Sequence, residues 1–391
     1  MDEAYREWEK IYACWLCNFP DMGSAKRYSL TQLCGGAQAT YFSDKKMWRQ
    51  VLTQKQVDSL ANFTQRWKPK EEYHRMISRN IRLINEWDTE YPKALRQMPD
   101  KPYGLFVKGV LPGDEIPKVA VIGARDCSEY GKYIAGKIGE TLGRNGIPVI
   151  SGMARGIDGI VQEAALDSGG TSVAVLGSGV DICYPAQNRR IYDRLERSGA
   201  IVSEYPLGMR ALSMNFPIRN RIVSGLADVV VVVEAGTKSG TLITVDMALE
   251  QGKEVYVVPG RITDRLAEGC NRLVKQGAEI FVSCDDFLDE LWEMWNRKNQ
   301  NTSADSTTVP KKQTETQAVL DMREKLQMAE LSPEQISIYK ILDDTPKTVD
   351  EITELLPMEY KSLQITTHLM WLCMRNMAIQ VTSGHFCRKR N

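Results

Sequence analysis

From residue 119 the chain alternates between two textures. "VAVIG", "IPVIS", "SVAVLG", "AIVSE", "DVVVVVEA", "EVYVVPG" and "EIFVS" are short, continuous, β-branched apolar runs, and the stretches between them carry helical periodicity. Apolar runs that do not alternate with polar residues predict parallel strands buried on both faces by helices. The pattern over roughly 115–290 therefore predicts an α/β domain with a doubly wound, mostly parallel sheet.

The flanks read differently. Residues 5–62 have the period of short helices, and "LCNFPDMGSAKRYSLTQLCGG" places Pro20 and Gly23 in a tight turn before a basic amphipathic stretch. That turn resembles a helix-hairpin-helix or SAM-like element, whose backbone amides can meet phosphate; a plain helical packing module is the other reading. Residues 82–109 predict a strand, a short helix after Tyr91-Pro92 and a second strand. Residues 296–330 are polar with little apolar periodicity until "AVLDMREKLQM", which predicts a flexible linker. The tail predicts three helices and a hairpin, a winged-helix pattern. Leu369, Met370, Leu372 and Met377 give its third helix an apolar face, so DNA contact and protein docking both stay open. The expected division is a helical SAM-like domain over 1–75, an extended Rossmann-like domain over 80–290, the linker over 296–330 and the winged helix over 331–391.

Charge constrains partners without choosing one. Fifty basic and fifty acidic residues cancel, so attraction to a polyanion has to come from a local cluster. The N-terminal "MDEAYREWEK" lacks the basic and apolar blocks of a signal peptide, and no apolar run reaches the roughly 20 residues that span a bilayer. Nine scattered cysteines, an odd number, suit a reducing compartment, so a cytoplasmic location and no membrane contact are expected. Only Cys14 and Cys17 are spaced as CxxC, and they read as small apolar helix residues; no metal and no cofactor are expected.

In an open parallel sheet, ligands sit beyond the carboxyl ends of the strands. Read together, the residues at those ends are Gly123 and Arg125; Ser151, Gly152, Arg155 and Asp158; Gly177-Ser178-Gly179; Glu204, Phe216, Arg219, Asn220 and Arg221; Glu234, Lys238, Ser239, Gly240, Thr241 and Thr244; and Arg261. Glycines, helix starts and several cations on one edge make an anion site. Arg219 and Arg221 pose the sharpest question. Pro217 predicts a first helical turn there, where the helix dipole disfavours cations. Either an external anion faces them or they pair with Glu204 and Glu234. Asp158 reads as a helix-start or ion-pair residue, and Phe216 as either core or a platform for a base.

Several enzyme classes fall away. "GARDCS" after the first strand is not G-x-G-x-x-G, "GSGVDI" follows the wrong strand, and no GxxxxGK[ST] or G-x-S-x-G occurs. None of the three histidines lies in the sheet domain, and no catalytic residue is expected. One enzyme alternative remains: "EAGTKSGT" looks like the glycine-rich loop of nucleotide phosphoribohydrolases, with Glu234 and Arg155 as the groups that would act, though the "PGG" start is absent.

"VIGAR", "ISGMARGID", "VLGSGVDICYPAQN", "SEYPLG", "FPIRNRIVSGLADVVVVVEAGTKSGTLIT", "ALEQGKEVYVVPG" and "GCNRLVKQGA" follow one another in the order and spacing of the DNA-processing protein A (DprA/Smf) family, which the chain resembles over nearly all of 119–281. The resemblance implies a single-stranded DNA-binding protein without established catalysis. Such a protein receives and protects incoming single strands in natural transformation, helps load the RecA recombinase, and forms homodimers through its Rossmann-like domain. Carried over residue by residue, Gly123 and Arg125 belong to the first-strand motif, and Ser151, Gly152 and Arg155 to the second loop. Phe216, Arg219, Asn220 and Arg221 fall in the FPxRNR segment, and Lys238, Ser239, Gly240 and Thr241 in the SGxLIT segment. One position departs: some members have a Lys directly after the Tyr-Pro of the third loop, and here Ala186 follows Tyr184-Pro185, with Arg189 or Arg190 as substitutes.

Overall fold

The structure, a computed structural model, describes residues 3–302, 331–343, 346–356, 362–374, 378–382 and 385–388. The chain divides into two units, Met1–Ser303 and Ala304–Asn391.

The first unit is built on a nine-stranded sheet. In chain order its strands are β1 (Ile81–Ile84), β2 (Leu105–Gly109), β3 (Val119–Ile122), β4 (Val149–Ser151), β5 (Ser172–Val175), β6 (Gly199–Ser203), β7 (Val229–Val232), β8 (Glu254–Val257) and β9 (Glu279–Ile280). They lie side by side as β1-β2-β6-β5-β4-β3-β7-β8-β9. The seven runs read as strands are β3 to β9, all in parallel register, while β2 pairs antiparallel with both β1 and β6. This is the doubly wound, mostly parallel sheet expected, extended at one edge by an antiparallel pair.

Side chains alternate across it, as a period of two demands. Val119, Val121, Val229 and Val231 face helices Glu129–Arg144 and Ile157–Asp167 through Ile138, Leu142 and Val161. Ala120, Ile122, Val230 and Val232 face helices Asn215–Leu226 and Gly240–Glu250 through Ile222, Leu226 and Val245. Both faces are covered, which is why the strands read as unbroken apolar runs.

The chain lays down β3 to β6 in one direction, then resumes with β7 on the other side of β3. At this reversal the loops after β3 and β7 diverge and leave a crevice.

The helices Glu3–Asn18, Ser24–Cys34, Ala37–Phe42, Lys45–Trp48, Gln54–Arg66 and Pro69–Ile77 precede the sheet. Their core is continuous with it: Trp15, Phe19 and Leu60 belong to one buried cluster with Leu83, Phe106, Ile201 and Leu195. Arg27, in the basic stretch after the Pro-Gly turn, is turned inward and donates to the carbonyls of Leu16, Cys17 and Phe19 at 3.1, 3.3 and 2.9 Å. It neutralises the carbonyl end of the first helix and is not available to a phosphate. Cys14 and Cys17 are buried in that helix, and burial pushes the Cys17 thiol up to about 11.

Helix Cys284–Thr302 runs past 296, where the sequence suggested a linker, and carries the apolar Phe287, Leu288 and Leu291 onto the sheet. The rest of the linker segment, 303–330, lies outside the described residues. In the second unit, helices Pro333–Ile341, Val349–Leu355 and Ser362–Met374 accompany a three-stranded antiparallel sheet of Lys347–Thr348, Ala378–Thr382 and His385–Arg388. Leu369 and Leu372, read as part of an apolar face, are core residues with Ile338 and Ile352; Met370 is exposed, and Met377 lies outside the described residues.

Candidate nucleic-acid interface

The crevice at the reversal of strand order is a cavity of about 1050 Å³. Its walls are the loop after β3, the loop after β4, the start of helix Asn215–Leu226, and the loop after β7 that runs into helix Gly240–Glu250. Of the residues singled out in the sequence, Gly123, Arg125, Gly152, Asp158, Phe216, Arg219, Asn220, Lys238, Ser239, Gly240, Thr241 and Thr244 line it.

Local chemistry fixes each wall. Ser239 caps helix Gly240–Glu250 by accepting from the Thr241 amide at 3.2 Å, and Thr241 Oγ1 donates to the Gly123 carbonyl at 3.2 Å, tying the β7 loop to the β3 loop. Gly156 has φ 81°, and a side chain there would strike the carbonyls of Ala124 and Arg125. Only glycine lets the second loop approach the first this closely.

The cations divide into two groups. Arg125, Lys238 and Arg265 are exposed around the cavity and have no ion-pair partner among the described residues. Arg219 and Arg221 are buried. Arg219 donates to the Gly152 carbonyl at 2.9 Å, to the Val175 carbonyl, and to Asn220 Oδ1 at 3.2 Å. Burial pulls its pKa down to about 10, so it stays charged at neutral pH. Arg221 faces away from the cavity and pairs with Glu204 at 2.7 Å and Asp100 at 2.9 Å.

This answers the question that the helix start raised. The helix begins at Asn215, so Pro217 is its third residue and both arginines fall in the second turn, past the strongest part of the positive end. Proline is tolerated there because the first four amides of a helix have no internal acceptor. For Arg221 the partner is an internal carboxylate, Glu204, and not an external anion.

Further expectations shift. Ser151 is fully buried and donates to the Val121 carbonyl at 2.7 Å, a bond between strands. Arg155 is exposed, pairs with Asp126, and does not line the cavity; nor does Arg261. Glu234 is 4% exposed and accepts from the Ser128 amide at 3.0 Å and the Ser128 hydroxyl, holding the start of helix Glu129–Arg144. The two groups that the phosphoribohydrolase reading needs in the cleft are both elsewhere.

Tyr184 and Arg265 line the cavity and were missed. Tyr184 is 47% exposed, its ring 5.7 Å from that of Phe216 and tilted by 32°. Arg125 Cζ stands 5.3 Å from the Phe216 ring centroid and Arg219 Cζ 5.9 Å. Tyr184 was in view only as a neighbour of the departing Ala186, and Arg265 lies in a loop without apolar period. A second cavity of about 750 Å³, at the β1 edge, is lined by Glu90, Asp114 and Glu196 with Arg82, a charge balance unsuited to an anion.

The family model for DNA recombination-mediator protein A matches residues 82–292. The chain belongs to this family. The match takes in β2 to β9 and every wall of the cleft. Among family relatives, "DNA processing protein DprA" of Streptococcus pneumoniae is 42% identical over 204 residues, 52% of this chain and 72% of its own. "Protein Smf" of Escherichia coli is 44% identical over 213 residues, 54% of this chain and 57% of its own. The X-ray structure of DNA processing protein A from S. pneumoniae superposes with a TM-score of 0.62 at 30% identity, covering 72% of this chain and 97% of that one.

Proposed function

We propose that the chain binds single-stranded DNA in this cleft, as a recombination mediator that protects the strand and helps load a RecA-type recombinase in natural transformation or another recombination route. It acts as a homodimer in the cytoplasm, and as a binding protein without catalysis. Membership of the recombination-mediator family supports the general role. Among the described residues, no helix is long and apolar enough to cross a membrane.

The observation that carries the reading is the set of exposed cations Arg125, Lys238 and Arg265 around an aromatic pair, Tyr184 and Phe216. Cations without acidic partners among the described residues suit phosphates, and aromatic rings beside them suit unstacked bases, which a single strand offers and a duplex does not. Net neutrality is no obstacle, because the charge that matters is local. Fluorescence anisotropy with labelled oligo-dT and a duplex of equal length, repeated across salt, tests this. Single-strand-selective binding with a log–log salt slope near −0.7 per phosphate contact is expected. Equal affinity for the duplex would defeat it.

A further inference from the structure

The loop after β4 forms one wall of the cleft, and its backbone is strained. Met153, between Gly152 and Ala154, has φ 53° although it carries a side chain and is completely buried. A non-glycine residue in the left-handed region costs on the order of 1–3 kcal/mol and persists only where its surroundings over-determine it.

Here the surroundings are specific. Asp158 Oδ2 accepts from the Gly152 amide at 3.0 Å and from the Ala154 amide at 3.4 Å. Arg219 Nη1 donates to the Gly152 carbonyl from the other side at 2.9 Å. Asn188 Nδ2 donates to the carbonyls of Met153 and Ala154 at 3.0 and 3.1 Å. The Gly152 peptide units are thus held at both ends by oppositely charged side chains, each less than a tenth exposed. A Cβ on Gly152 would run into Arg219 and sit 2.7 Å from Asp158 Oδ2. Burial raises the carboxyl pKa of Asp158, the Arg219 charge and the two amides opposing it.

We propose that Arg219 and Asp158 are positioning residues: together they fix the Gly152–Ala154 wall of the cleft, and Arg219 does not act as a counter-ion to bound phosphate. The inference rests on the single-strand reading for its binding readout. The counter-ions are then Arg125, Lys238 and Arg265. Asp158 supplies the decisive sign. If only charge mattered, removing a carboxylate beside an anion site would tighten binding. If the carboxylate holds the wall, removing it weakens binding.

The test uses the full-length protein, with oligo-dT anisotropy across salt and a thermal melt of each variant. Asp158→Ala is expected to weaken binding roughly tenfold with the wild-type salt slope, and Asp158→Asn, which keeps an acceptor for the Gly152 amide, to recover most of it. Arg219→Gln is expected to weaken binding with the slope unchanged, whereas Arg125→Ala flattens it by about 0.7. Tighter binding by Asp158→Ala, or a slope flattened by Arg219→Gln, would overturn the proposal. Hydrogen exchange supplies a readout that needs no DNA: in Asp158→Ala and Arg219→Gln, the Gly152 and Ala154 amides should exchange faster while those of β3 and β7 do not change. Wild-type protein that fails to bind oligo-dT defeats the single-strand reading, and the exchange result then decides the positioning role by itself. Unaltered exchange at Gly152 and Ala154 in both variants sinks it.

Discussion

The two sides of the cleft use basic residues in opposite ways. On the loop side, Arg125, Lys238 and Arg265 stand in solvent with no acidic partner among the described residues. On the side of helix Asn215–Leu226, Arg219 and Arg221 are buried and bonded to protein acceptors. A guanidinium surrounded by carbonyls and carboxylates stabilises the fold, and one facing water is available to a ligand. Position beside a cavity does not by itself make an arginine a ligand group.

The largest effect that tests this contrast is on stability. Arg221→Ala leaves Glu204 buried without its cation and should cost about 3 kcal/mol in denaturant unfolding, while the folded protein keeps its wild-type salt slope for oligo-dT. A slope reduced by this change would place Arg221 among the ligand groups and break the contrast. Next comes the rim. Phe216→Ala removes the ring that faces Tyr184 and should weaken oligo-dT binding by about 2 kcal/mol, read by anisotropy, with little change in slope. An unchanged affinity would return Phe216 to a packing role.

Arg125→Ala should weaken binding by roughly tenfold and flatten the slope by about 0.7, with Lys238→Ala and Arg265→Ala acting in the same direction. The smallest effect is expected from removing residues 331–391. The cations proposed to meet phosphate, Arg125, Lys238 and Arg265, all lie in the first unit, so single-strand affinity should stay within about twofold. A tenfold loss would give the second unit a share of the DNA contact.

Much of the scaffold was legible beforehand. The runs that became β3 to β9 could be read because strands buried on both faces are continuously apolar, and the strand–helix–strand over 81–109 followed from the same signals. Most of the cleft was legible too, because ligands in this architecture gather where loops leave the strands. Helix Cys284–Thr302 outran its expected end because a polar surface helix and a polar linker share a composition. Asn188 and Tyr184 carried no signal: each lies in the irregular segment after β5, where only the folded chain shows what a side chain meets.

By itself, the sequence determined the periodic part of this protein: which segments are strands, that the sheet is buried on both faces, and which loops share its ligand edge. These follow from local spacing, since a period of two or 3.6 is written in neighbouring residues. The tertiary structure alone decided which cations remain open. The acceptors of Arg219, the carbonyls of Gly152 and Val175, lie 67 and 44 positions away, and the Glu204 that holds Arg221 lies 17 away. A charge is satisfied or left free by whatever the fold brings within about 3 Å, a distance that spacing along the chain does not encode.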